Sequence, residues 1–172
     1  MPALTSGSNA ANPSASQRSA KRKGLGVSTI LLPVDFSPAS RQALDEGVRF
    51  ARMFRARLIL LYVLEPIPMP DFANAFPLVM ENETVMKSCK KRLEQLATKA
   101  GVSPRLIERT LVREGQPYIE ITDAARTLRA DLIIIPTHGY TGLKHAFLGS
   151  TAERVVRHAT CPVLVIRSRN KA

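Results

Sequence analysis

Five strand-like runs constrain this chain more than any other feature. They are TILLPV (29–34), RLILLYVL (57–64), LIERTLV (106–112), DLIIIP (131–136) and PVLVIR (162–167). Short continuous apolar runs suit strands covered on both faces. The segments between them carry apolar residues at helical spacing. The stripes are Ala43, Leu44, Gly47, Val48, Ala51 and Phe54; then Met86, Cys89, Leu93, Leu96, Ala97 and Ala100; then Ile121, Ala124, Ala125 and Leu128; then Ala152, Val155, Val156 and Ala159. Strands alternating with helices predict an α/β fold, a parallel sheet with helices on both faces. Right-handed crossovers leave few strand orders, and a switch in order opens a crevice at the carboxyl ends of the strands. The third run carries Glu108 and Arg109, which suits a sheet edge.

Local signals punctuate this order. Ser37 is placed to cap the first helix, with Pro38 at its first position. Gly101 ends the second helix, and Gly115 and Pro117 mark the turn before the third. Residues 65–78 contain Pro66, Pro68, Pro70 and Pro77, a long connection that reads either as functional or as surface slack.

Composition narrows the class. A length of 172 residues and a hydrophobic fraction of 45% suit one domain with a sizeable core. No apolar run reaches the roughly 18 residues of a membrane span, so a membrane is not an expected partner. Cys89 and Cys161 lack metal-like spacing and read as reduced thiols of a cytoplasmic protein. The formal charge is +11, and part of it is local. Residues 1–27 include Arg18, Lys21, Arg22 and Lys23, no acid, and many small polar residues. They read as a disordered basic arm, followed by one domain over 28–168 and a short tail over 169–172. Aromatic residues do not interleave with the basic ones, which disfavours nucleic acid as a partner.

The candidate chemistry gathers at the ends of the first and fourth runs. Asp35 closes a buried strand beside the expected crevice. There it suits a ribose hydroxyl, a base nitrogen or a metal, or else belongs to the turn that starts the helix. Gly139 and Gly149 have nine residues between them, and Ser150 and Thr151 follow. A helix N-terminus offers free N–H groups and partial positive charge to a phosphate. Gly149 lets an anion approach the backbone without a Cβ in the way. A second reading stands beside this one. Ser150-Thr151-Ala152-Glu153 also fits a capping box, in which Ser150 and Glu153 satisfy only the helix end. His138 lies in the same stretch and reads better as a turn residue than as a ligand contact. There is no G-x-x-x-x-G-K-[ST], no G-x-G-x-x-G after the first run and no G-x-S-x-G. His138, His145 and His158 lack the spacing of a zinc pair.

Taken together, ILLPVDFS, LILLYV, EGQP and THGYTGLKHAFLGSTAERVVRHATCPVLVIR resemble the universal stress protein family over nearly the whole stretch from Ser28 to Arg167. The resemblance implies a single five-stranded parallel domain of Rossmann-like, adenine nucleotide alpha hydrolase-like type, usually dimeric. The nucleotide-binding branch of that family carries G-x-x-G, nine residues, then G-[ST], and Gly139, Gly149 and Ser150 match its later part. It implies ATP as ligand, with Gly139, Gly149, Ser150 and Thr151 at the phosphates and Mg²⁺ carried on them. Pro33, Val34, Asp35 and Val63, the last through its backbone, would surround adenine and ribose. Pro136 departs from the pattern by replacing the first glycine, so one N–H is absent there. The implied role is a dimeric stress-response switch or sensor with at most slow ATP hydrolysis. A dimeric interaction module without nucleotide is the alternative. PVLVI reads as an exposed sheet edge, which pairing with a second copy would cover and which the charged tail Arg167, Arg169 and Lys171 would otherwise protect.

Overall fold

The computed structural model describes residues 26–66, 82–137 and 148–167. Residues 1–25, 67–81, 138–147 (with His138, Gly139 and His145) and 168–172 lie outside the described residues. The strands are β1 (Thr29–Pro33), β2 (Arg57–Leu64), β3 (Ile107–Glu114), β4 (Leu132–Pro136) and β5 (Val163–Ile166). The helices are α1 (Pro38–Phe54), α2 (Asn82–Lys99), α3 (Pro117–Thr127) and α4 (Ser150–His158). All strand pairs are parallel, in the order β3-β2-β1-β4-β5. The charged third strand is an edge, as its sequence predicts, and β1 and β4 are neighbours.

Alternation along the strands divides the core in two. Ile30, Leu32, Leu58, Leu60 and Ile134 pack with Leu44, Ala51, Leu93 and Ala97 of α1 and α2. Leu31, Ile59, Leu61, Ile133 and Ile135 pack with Ile121, Ala124, Ala152 and Val155 of α3 and α4. Gly47 is needed for close packing: a Cβ there would sit 2.2 Å from Leu32 Cδ1. Three sequence expectations change. Ala100 is exposed just past the end of α2. Val156 is exposed, because it lies about 100° around α4 from the buried Val155. Leu106 belongs to a short 3-10 turn, Pro104–Leu106, rather than to β3.

The backbone dictates where the sheet opens. Val34 N–H donates to Leu61 O, so even residues of β1 face β2 and odd ones face β4. Ile133 and Thr137 donate to Pro162 O and Ile166 O, so even residues of β4 face β1. Pairing between β1 and β4 reaches Leu31 and Ile133 and stops. The next rung would need N–H groups from Pro33 and Pro136, and proline has none. The two central strands therefore part at their carboxyl ends, which is the condition for a crevice at a topological switch.

Candidate functional site

The turn after β1 is built under strain. Asp35 Oδ1 accepts from Ser37 N–H at 2.9 Å. Phe36 adopts φ 63°, a conformation that costs a bulky residue about 1–2 kcal/mol. The reversal sends neighbouring side chains to opposite faces. Phe36 is buried with the α1/α2 core, 4.8 Å from the Tyr62 ring and under the Arg92 guanidinium at 4.1 Å. Asp35 stays half-buried and lines a cavity on the other side. Ser37 then caps α1 through Ser40 N–H at 3.1 Å, with Pro38 in the first turn.

The start of α4 differs from its sequence reading. The N-cap is Gly149, with no side-chain cap, and Ser150 is the first helical residue. The Glu153 carboxylate pairs with Arg157 at 2.8 Å, so the capping box is not formed. Gly149 N–H donates to Thr137 O at 2.7 Å, which ties the helix to the end of β4. The first intrahelical bond is Glu153 N–H to Gly149 O. The open end of the helix therefore starts one residue after Gly149. The amides without an intrahelical acceptor are those of Ser150, Thr151 and Ala152.

These pieces enclose a cavity of about 340 Å³, at the lower end of the range for small-molecule sites. Leu61, Val63, Ile121 and Ile135 give it an apolar wall, and Asp35, Glu65, Thr137, Ser150 and Thr151 bring polar groups to it. Pro33, Val34, Asp35, Val63, Gly149, Ser150 and Thr151 all lie on this one cavity; Gly139 lies outside the described residues. Val63 is beyond the last bond between β1 and β2, Val34 N–H to Leu61 O. Its peptide edge thus faces the space that β1 vacates. Pro136 also lines the cavity, at the parting of the strands.

Sequence reasoning missed Glu65, Ser40, Pro117 and Thr137, all on the cavity wall. The signal for Glu65 was available, since it follows β2 as Asp35 follows β1. Among the described residues no group of three or more potential ligands is placed to hold a metal, and no helix is long and apolar enough to cross a membrane.

The arrangement has known counterparts. The profile of the universal stress protein family matches residues 26–167. The chain is similar to universal stress protein MJ0531 of Methanocaldococcus jannaschii, at 33% identity over 149 residues and 83% of each chain. It is 36% identical over 143 residues to a universal stress protein of Thermus aquaticus, covering 81% of this chain and 98% of that one. Among solved structures, protein MJ0577 of Methanocaldococcus jannaschii superposes with a TM-score of 0.71 at 27% identity, over 85% of this chain and 99% of that one. UspA of Lactobacillus plantarum does so with a TM-score of 0.63 at 29% identity, over 82% and 98%.

Proposed function

Because this chain belongs to the universal stress protein family, we propose that it binds ATP, with Mg²⁺ on the phosphates, in the crevice between β1 and β4. One observation carries the proposal. The open amides of Ser150, Thr151 and Ala152 stand at the rim of a cavity that has an apolar wall and the Asp35 carboxylate on the same lining. A purine fits the apolar wall, a ribose hydroxyl suits Asp35, and an anion suits the helix end. Gly139, separated from Gly149 by nine intervening residues, would complete the phosphate contacts in the family pattern. The metal would be held by the nucleotide rather than by a dedicated protein site. The role we assign is a switch or sensor in a stress response, not a metabolic catalyst.

Calorimetric titration with ATP and Mg²⁺ tests this on the intact chain and on Gly149→Val. Gly149 has φ −67° and ψ 153°, which valine tolerates, so the variant puts a branched side chain in the anion's path without backbone strain. Keeping the anion from one charge-assisted contact with the amides that follow should weaken binding by about tenfold or more. Equal heats from both, or none from the intact chain, would favour a dimeric module without nucleotide. Pro136 and Glu65, which offer no N–H and a negative charge respectively, are the residues that favour that second reading.

The assembly we propose is a homodimer paired through β5. Its side chains are half-buried and it is the last strand of the sheet. Val156 stands exposed on α4, which packs on β5. Even residues of β5 face β4, so Val163 and Val165 turn their N–H groups to the open edge. Val165→Pro removes an edge donor without touching the β4–β5 ladder. Sedimentation should show monomers; an undisturbed dimer would place the interface elsewhere.

A further inference from the structure

Resting on the nucleotide reading above, we infer that Arg154 contacts the outermost phosphate and sets a preference for a nucleoside triphosphate over a monophosphate. A second cavity of about 310 Å³ adjoins the first. The two share Glu65, Pro117, Ser150 and Thr151 as lining, and the second adds Gln116, Tyr118 and Arg154. A polyphosphate that starts at the Ser150 and Thr151 amides and outgrows the first cavity has this space beside it.

Arg154 is placed for that space by helix geometry. It lies one turn after Ser150, hence on the same face of α4, and a long helical side chain leans back toward the N-terminus. Its guanidinium rests over the Tyr118 ring at 5.0 Å, and among the described residues no carboxylate pairs with it. The other arginine nearby, Arg157, is already bound to Glu153 at 2.8 Å. The ring holds the cation beside the cavity while leaving the planar edge of its N–H groups able to meet a phosphate. Glu65 borders both cavities and opposes an uncompensated polyphosphate, so the comparison belongs in Mg²⁺.

The experiment is the affinity of the intact chain, Arg154→Ala and Arg154→Lys for ATP and for AMP, by calorimetry. Loss of a charged contact should weaken ATP by about tenfold in the alanine variant and AMP by much less. Lysine should fall between, because it keeps the charge and loses the fork. AMP binding also reports that the variants are folded. An equal change for both nucleotides, or no change in either, overturns the inference and leaves the nucleotide reading standing. Failure of the intact chain to bind either nucleotide overturns both.

Discussion

The two ends of the sheet are finished in opposite ways. At the amino ends of the strands, three helices close on themselves. Arg55, Gly101 and Arg129 take left-handed φ of 55°, 65° and 52°. The residue after each then donates back to the helix, Ala56 to Ala51 O, Val102 to Ala97 O and Ala130 to Ala125 O, at 2.8, 3.0 and 2.8 Å. This is the Schellman closure, which satisfies terminal carbonyls within the chain. Arg52, Lys99 and Arg126 in the last turns oppose the negative ends of the helix dipoles. At the carboxyl ends α1 is capped by Ser37, but α3 and α4 begin without side-chain caps, β1 and β4 part at two prolines, and Phe36 is strained. A helix end completed by its own chain stabilises; one left open is available to a ligand.

The largest effect should come from unfastening the closed end. The Asp131 carboxylate accepts from Ser28 N–H at 2.8 Å, Ser28 Oγ at 2.6 Å and Thr29 N–H at 3.0 Å. It pins the start of β1 to the start of β4. Asp131→Ala should lower unfolding stability by about 2 kcal/mol, measured by urea denaturation. Burial, with the Asp131 charge second, holds the Cys161 thiol above its ordinary value. The same variant should therefore alkylate somewhat faster at Cys161 near neutral pH, since less charge opposes the thiolate. Nucleotide affinity should stay unchanged. A parallel loss of affinity would mean that the two ends are not independent, and the contrast would fail.

How much of this the sequence discloses depends on the range of the interaction involved. The strands are legible because a strand covered on both faces must be apolar throughout, and the edge position of β3 because Glu108 and Arg109 are exposed there. The neighbouring tips of β1 and β4 follow from where the turn chemistry collects. Gly101 signals its own helix end, but Arg55 and Arg129 fill the same conformation with nothing in the side chain to announce it. Ser150 misleads for a longer-range reason. S-x-x-E describes a local cap, but the bond from Gly149 N–H to Thr137 O fixes the helix start one residue earlier. Glu65 and Arg154 gain their interest only through the fold, which brings the end of β2 beside the first turns of α3 and α4.

The smallest expected effect on stability is also the sharpest test of the open end. Ser37 and Ser150 both stand near a helix start and both precede an apolar stripe. Ser37 Oγ accepts from Ser40 N–H, so it caps. Ser150 sits one position later, exposed, beyond a glycine that takes the N-cap place. Replacing a true N-cap serine by alanine costs about 1 kcal/mol. An exposed serine within a helix gains slightly from the same change, about 0.5 kcal/mol or less. Ser150→Ala should therefore leave the urea midpoint unchanged or marginally raised, while ATP affinity falls through loss of a hydroxyl donor. The reverse outcome, a loss near 1 kcal/mol with affinity intact, would make the start of α4 a closed terminus like that of α1. The amides at Ser150, Thr151 and Ala152 would then be no more open to an anion than the capped end of α1.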